Sequence, residues 1–295
     1  TTAGRTSRGR RRPADRVIDS HVHAWRQWPY DQAVPDPATR GGIDHLLYEM
    51  DRHEVERALV VCARIGGNDD NNEYVARAAA RHRDRLEVIV DVDCCWRPEY
   101  HTPGAAERLR RIAEHCDARG FTHYVRPEND GWFISDDGLE FFETAARHGL
   151  VASLAVPPGW QADVRTVAAA NPTMPILLHH LGLAETSSPT YDDDLAEVVK
   201  SAERPNVFVK VSGFHYVSGR GWDFPFADAR ASLRRLARAY GTDRLCWGSD
   251  FPASTHFVTY TQALEVVRTY CDFFSEEEMT GVLGANVARI LDRTV

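Results

Sequence analysis

The chain has 295 residues, of which 43% are hydrophobic, and its formal net charge is -8 at pH 7. That length and apolar content suffice for a large core, and α/β barrels of this size often fold as one domain. The negative charge argues against a nucleic-acid-binding body, and the sequence has no apolar run long enough to cross a bilayer.

Residues 1–15 are polar and rich in arginine. We expect a disordered, solvated basic tail there, followed by a single barrel domain over residues 16–295. The 6 cysteines show no zinc-finger spacing, which indicates reduced thiols and a cytoplasmic protein.

The first predicted element is a short buried strand near residues 17–22, which ends in two imidazoles, His21 and His23. Because alternate side chains of a strand share a face, we expect the two histidines to point the same way, with Asp19 below them. A loop rich in aromatic residues and prolines follows. This arrangement is typical of one rim of an active site on a parallel α/β scaffold.

Strand-like and helix-like segments then alternate to the end of the chain. The later strands are predicted at 57–63, 86–93, 121–126, 150–156, 175–180, 207–211 and 245–250. Continuously apolar strands joined by helices predict a single (β/α)8 TIM barrel with its active site at the C-terminal ends of the strands. The alternative, an open doubly wound sheet, needs a glycine-rich phosphate turn, and strand one leads into His-Val-His-Ala-Trp instead.

The last predicted strand delivers a carboxylate, Asp250, at its tip, and Pro252 stops it. The histidines of the first strand can meet this aspartate only if the sheet closes into a barrel. Other strand ends supply further polar side chains: Arg64, Asp91, Asp93, Arg126, His179, His180, Lys210, Ser212, His215, Ser249 and His256.

Three imidazoles and one carboxylate would suit zinc or another first-row divalent ion, with a water in the open position. Asp250 would then act as general base on that water. Of the neighbouring pair His179 and His180, we expect only one imidazole to point into the barrel, because side chains alternate along a strand.

Five segments resemble motifs of the amidohydrolase superfamily, and more narrowly its amidohydrolase-2 branch of lactonases and decarboxylases. They are Ile-Asp-Ser-His-Val-His (18–23), Leu-His-His-Leu-Gly (178–182), Val-Lys-Val-Ser-Gly (209–213), Trp-Gly-Ser-Asp-Phe-Pro (247–252) and Gly-Ala-Asn-Val-Ala-Arg (284–289). The resemblance implies that His21, His23, His180 and Asp250 form the metal and catalytic site. It also implies that Arg64 and Arg126 hold a substrate carboxylate.

The sequence departs from the family pattern at two places. Its only lysines are Lys200 and Lys210, so strand four cannot carry the carbamylated lysine of binuclear members, and strand five carries no histidine. We therefore expect one divalent metal, zinc for preference. The alternative is a metal-free mechanism, in which the imidazoles polarise the carbonyl and Asp250 activates water.

Aromatic side chains follow several strands and suggest a pocket for a flat or apolar ring. We expect Arg64, Arg126, Lys210, Trp25, Trp132 and His215 to bind substrate. Each of these assignments has an alternative. The arginines could form structural salt bridges, and Lys210 could pair with Asp250. Each aromatic residue could simply belong to the core.

Three functions are compatible with this sequence. The first is hydrolysis of a lactone or related cyclic acyl bond in a small carboxylated ring compound. The second is metal-dependent, non-oxidative decarboxylation of an aromatic or unsaturated acid, and the third is a non-catalytic barrel that binds a small ligand. A homodimer is possible, and no nucleic-acid or membrane partner is expected.

Overall fold

The computed structural model describes residues 16–31 and 33–293. The tail predicted over residues 1–15 lies outside these described residues. The strands are β1 (Val17–Val22), β2 (Val55–Val61), β3 (Leu86–Asp91), β4 (Gly120–Tyr124), β5 (Val151–Ala155), β6 (Ile176–Leu178), β7 (Val207–Val211) and β8 (Leu245–Trp247).

Helices separate the strands and complete the chain. They are α1 (Ile43–Arg52), α2 (Asn71–Arg81), α3 (Ala105–His115), α4 (Asp136–Arg147), α5 (Gln161–Ala170), α6 (Tyr191–Lys200), α7 (Phe214–Val217), α8 (Ala227–Tyr240), α9 (Tyr260–Arg268), α10 (Glu276–Thr280) and α11 (Asn286–Arg293). None of the helices in the described part of the chain is long and apolar enough to cross a membrane.

The eight strands form one parallel sheet in the order β1 to β8. The last strand meets the first: Asp250 N donates to His21 O at 2.8 Å, and His23 N donates to Phe251 O at 2.6 Å. The predicted single (β/α)8 barrel is therefore confirmed. The six cysteines, all within the described residues, are free thiols, as expected.

Both faces of the strands are buried, which explains their continuously apolar sequence. One face, including Ile18, Val61 and Ile89, packs inside the barrel against Ile290 and Leu291 of α11. The other face packs against the surrounding helices. The chain just before α11 lies against the start of β1, since a Cβ at Gly284 would lie 1.9 Å from Arg16 O. The C-terminal segment thus closes the N-terminal end of the barrel, and the opposite end carries the polar strand tips.

Asp19 faces away from the two histidines, so the prediction that it lies below them was wrong. It accepts hydrogen bonds from Tyr260 Oη at 2.8 Å, on the helical layer, and from Ser249 N at 2.9 Å. The pairing of β1 with β2 is irregular between Asp19 and Val22. Such a bulge interrupts the alternation of faces, so spacing alone placed Asp19 on the wrong side.

Candidate active site

Four side chains from three strand ends converge on one point at the C-terminal mouth of the barrel. Nε2 of His21, His23 and His180 lies 3.4, 3.5 and 3.9 Å, respectively, from Oδ1 of Asp250. All four residues are buried. The structure thus brings together the residues that the sequence proposed as the catalytic and metal-binding set.

Unusual backbone conformations aim two of these groups. Asp250 has φ 58° and His180 has φ 45°, in the left-handed region that non-glycine residues seldom adopt. Such conformations cost on the order of 1–3 kcal/mol each and cluster at functional sites. Both occur just after a strand ends, where the turn redirects the side chain toward the barrel axis.

Both imidazoles of the pair His179 and His180 lie at the site, so the expectation that only one would point inward was wrong. The His179 ring centre lies 4.4 Å from that of His21, and the His180 ring centre lies 4.7 Å from it. The strand β6 ends at Leu178. Because the left-handed turn at His180 ends the alternation of the strand, both rings reach the same interior.

Lys210 is fully buried and lies behind His21. Its Nζ contacts His21 Nδ1 at 2.9 Å and donates to Ser153 Oγ at 2.7 Å. Ser153 Oγ also lies 2.7 Å from Nε2 of His179. Burial lowers the pKa of Lys210 to about 7. The structure therefore places Lys210 as a support for His21, rather than in a direct hydrogen bond with Asp250.

The Nδ1 atoms of His23 and His180 are anchored as well. His23 Nδ1 lies 2.6 Å from Val61 O, and His180 Nδ1 lies 3.1 Å from Ser212 Oγ. A carbonyl oxygen only accepts, so His23 carries hydrogen on Nδ1 and turns Nε2 toward Asp250. These contacts fix the orientation of both rings.

Burial keeps His21, His179 and His180 neutral, whereas the surrounding imidazoles keep the aspartate ionised. Burial lowers the pKa of His180 to about 4 and holds the pKa of His21 and His179 well below its usual value. Burial alone would raise the pKa of Asp250, but His180, His21 and His23 together hold it well below the usual range. An ionised carboxylate among neutral imidazoles can accept a proton at neutral pH.

A fifth imidazole, His215, faces the other oxygen of Asp250. Its Nε2 lies 3.9 Å from Asp250 Oδ2. Among the described residues, these two buried atoms have no hydrogen-bond partner. A single water can bridge two polar atoms at this separation. His215, proposed from the sequence to bind substrate, thus lies beside the carboxylate.

The other residues proposed for substrate binding lie in different surroundings. Trp25 stacks on His23 with ring centres 5.0 Å apart. The exposed Arg126 places its guanidinium 4.8 Å from the Tyr100 ring centre, and Trp132 stacks on His101 at 4.3 Å.

Arg64 lies beside a groove next to β3. Its Nε donates to Asp69 O at 2.8 Å, and the groove is also lined by Asp93 and Arg108. Trp132 packs in turn against Phe141 of α4, with ring centres 5.5 Å apart. Neither of these sets of contacts includes Asp250, because Arg64 lies beside the groove next to β3 and Trp132 packs in the helical layer with Phe141.

Sequence reasoning missed Tyr124 and Ser153, which line the interior beside His179. The Tyr124 ring centre lies 5.2 Å from that of His179. Burial and the negative charge of Asp250 raise the pKa of the Tyr124 hydroxyl. Strand pairing places Thr122 beside Ser153. Because every second side chain of a strand faces the same side, the alternation along β4 and β5 would have placed both residues in the interior.

Two glycines give the imidazoles room. A Cβ at Gly213 would lie 2.4 Å from His180 Nδ1, and one at Gly248 would lie 2.7 Å from His21 Cβ. Both glycines belong to motifs quoted from the sequence. Their role is therefore spatial: a side chain at either position would displace a histidine.

The donor set fits a divalent ion. His21, His23 and Asp250 offer ligand atoms within 4.8 Å of one another, and so do His21, His179 and His180. Among the described residues, His21 Nε2 and Asp250 Oδ2 are buried without a hydrogen-bond partner. One feature is unusual for a metal ligand: His21 faces a lysine through Nδ1, whereas ligating histidines ordinarily donate that nitrogen's hydrogen to an acceptor.

Comparison with known proteins identifies the group to which the chain is similar. The family model described as amidohydrolase matches residues 18–293. An L-fucono-1,5-lactonase of Burkholderia ambifaria is 25% identical over 91% of this chain and 93% of its own length. A 4-sulfomuconolactone hydrolase of Rhizobium radiobacter is 24% identical over 81% of this chain and 76% of its own length.

A solved structure shows the same fold. The crystal structure of an amidohydrolase from Burkholderia multivorans with bound zinc superimposes with a TM-score of 0.75. It is 21% identical and covers 94% of this chain and 99% of that one. The two proteins therefore share the barrel and its connections over nearly their whole lengths.

Proposed function

Since this chain belongs to the amidohydrolase family and is an enzyme of that superfamily, we propose that it hydrolyses a lactone or related cyclic ester of a small carboxylated ring compound. One observation carries the proposal: three imidazole Nε2 atoms lie 3.4, 3.5 and 3.9 Å from one oxygen of Asp250. The lactone-hydrolase names of two relatives support the same reaction class.

Asp250 is the proposed general base. A water between Asp250 Oδ2 and His215 Nε2 would give its proton to the carboxylate as its oxygen attacks the lactone carbonyl. The C–O bond within the ring then breaks. The proton taken by Asp250 passes to the ring oxygen as it leaves, so that the product is an open hydroxy acid.

His21 is the proposed donor to the oxyanion. In its ammonium form Lys210 has no acceptor capacity, so its contact with His21 Nδ1 then leaves the imidazole hydrogen on Nε2, which faces the site. Such a preorganised donor stabilises the negative charge that develops on the carbonyl oxygen. His180, held by Ser212, lines the same side.

His21, His23, His180 and Asp250 are the residues that would hold a divalent ion, zinc for preference. Held there, such an ion supplies Lewis-acid polarisation of the carbonyl and a lowered pKa for bound water. The roles given above to Asp250, His21 and Lys210 are those of the protein's own groups without the ion, because an Nε2 that binds a metal carries no hydrogen to donate.

Arg126 is the proposed contact for the substrate carboxylate. Its exposed guanidinium projects near the C-terminal mouth, beside Tyr100. Arginine binds a carboxylate through two parallel hydrogen bonds, which selects for planar anions. Arg64 would reach a substrate only through the groove beside β3, so we give it the lesser part.

Product analysis tests the reaction. The purified enzyme is incubated with a panel of carboxylated and neutral γ- and δ-lactones, and with aromatic carboxylic acids, and the products are identified by NMR. We expect an open hydroxy acid. Release of CO2 from an aromatic acid, with every lactone intact, would establish the decarboxylase alternative instead.

A second measurement concerns the ion. Metal content is determined by elemental analysis before and after chelation, and hydrolysis is measured in both samples. Equal activity would assign the reaction to the protein groups alone, whereas loss on chelation and recovery with Zn²⁺ would assign the ion a part.

A further inference from the structure

A cluster of exposed aromatic side chains lies at one side of the catalytic mouth. Of six large apolar side chains exposed in the described residues, three lie in the segments that follow β7 and β8: Tyr216 on α7, Trp222 and Phe257, which are 38%, 74% and 49% exposed. We call these three residues the aromatic strip. Apolar side chains gathered at a pocket, rather than scattered, mark a binding surface.

The aromatic strip is continuous with the catalytic site. The Phe257 ring is stacked on His215, with centres 4.6 Å apart and planes 20° apart. His215 Nε2 in turn lies 3.9 Å from Asp250 Oδ2. The Tyr216 ring centre lies 4.9 Å from that of His180. The inner end of the strip therefore borders the reacting groups.

Trp222 extends the strip outward. It follows Gly221, whose position is tight: a Cβ there would lie 2.9 Å from His215 O and 3.4 Å from Phe257 Cε1. The glycine thus lets this loop lie against Phe257 and sets Trp222 at its outer edge. Arg220 and Asp223 flank the segment with opposite charges, so the surface is apolar without a net charge.

We propose that the aromatic strip is a second subsite, which binds a flat apolar substituent, such as a phenyl ring, attached to the lactone that Asp250 attacks. This inference rests on the proposed function for the position of the lactone ring. An aromatic substituent would stack on Phe257 or Trp222 and cover surface that is otherwise in water. The charged side chains of the catalytic site would remain beside the lactone ring.

The test uses binding, so that it does not depend on turnover. Affinities of δ-valerolactone and of a phenyl-substituted δ-valerolactone are measured by calorimetry on the Asp250→Asn protein. They are measured again with Trp222→Ala or Phe257→Leu added. Tyr48→Ala is the matched control, because Tyr48 is 60% exposed but lies on α1.

We expect the phenyl group to increase affinity about tenfold, as partial burial of an aromatic ring would. Trp222→Ala or Phe257→Leu should remove most of that gain, and Tyr48→Ala should leave it unchanged. A phenyl group that adds no affinity, or a gain that survives both substitutions, would overturn the proposal.

Two further outcomes separate the possibilities. If the phenyl preference depends on the strip but no lactone is hydrolysed by the wild type, the subsite stands and the proposed reaction fails. If sedimentation shows a dimer that Trp222→Ala dissociates, while the phenyl preference is absent, the strip is a contact between copies and the subsite is refuted.

Discussion

Lys210 Nζ lies 2.9 Å from His21 Nδ1, within a fully buried part of the barrel. Because the lysine is fully buried and touches this imidazole, we expect it to act on the reaction through His21. A buried cation without a directly bonded carboxylate is costly to keep, which points to a role in orienting His21.

Replacing this lysine should separate activity from stability. We expect Lys210→Met to lower kcat at least tenfold, because His21 loses the partner that keeps hydrogen on Nε2. The free energy of unfolding should change by less than about 1 kcal/mol, since an apolar side chain of similar length removes a buried charge. Kinetics and urea denaturation measure the two effects.

The matched control is the other lysine of the chain, Lys200, whose side chain is 60% exposed. Lys200→Met should leave kcat unchanged. A Lys210→Met enzyme with normal kcat would show that His21 keeps its orientation without the lysine.

Asp250→Asn should reduce turnover about 100- to 10,000-fold, the usual range for loss of a general base. The amide retains the shape of the carboxylate but cannot take a proton from water. Circular dichroism should show an intact fold. The exposed Asp223→Asn serves as control and should behave as wild type. Near-normal turnover in Asp250→Asn would remove the residue from the mechanism.

Gly213→Ala should impair activity more than its backbone strain explains. An added Cβ would lie 2.4 Å from His180 Nδ1, whereas one at Gly67 meets nothing within 4 Å, although both glycines have positive φ. Each substitution should cost about 1 kcal/mol of stability through the left-handed backbone. Only Gly213→Ala should lower kcat, by about tenfold or more, because only it displaces a catalytic imidazole. Equal kcat in the two variants would contradict this.

Acid should destabilise the fold partly through His123. Burial lowers the pKa of this histidine to about 3, while the unfolded chain titrates near 6.5. Between these values the unfolded state binds more protons, so stability is lost as the pH falls. From pH 7 to pH 5 the contribution is about 2 kcal/mol.

His123→Phe should reduce that loss by the same amount. The relevant quantity is the difference between unfolding free energies at pH 7 and pH 5, measured by urea denaturation of both proteins. Each protein is compared with itself at the two pH values. The cost of the hydrogen bonds lost in His123→Phe is present at both values and therefore cancels. An identical pH dependence in the two proteins would show that His123 is accessible to protons in the folded state.

Arg126→Met should raise KM for a carboxylated lactone several-fold and leave KM for its neutral counterpart unchanged. Arg126 follows the C-terminal end of β4 and its side chain is exposed, so it can meet a substrate anion. A parallel change for both lactones would assign Arg126 to the packing around Tyr100 instead. Initial-rate kinetics on the two compounds distinguishes these results.

Much of the fold could be predicted from the sequence, because each unit carries its own local signal. Apolar runs bounded by polar turns indicated all eight strands, and each of them begins within two residues of the observed start. The close pairing of His21 with Asp250 was also predictable, since parallel strands end at the same edge and a barrel joins its first and last strands.

Only the tertiary structure decided where the remaining polar groups point. The bulge in β1 turned Asp19 away from the histidines, and the left-handed backbone of His180 brought its ring into the site beside that of His179. The support of His21 by Lys210 joins strands that are adjacent neither in sequence nor in the sheet. Sequence periodicity describes the two faces of an ideal strand, whereas side-chain direction at a strand end depends on backbone irregularity and on contacts across the barrel.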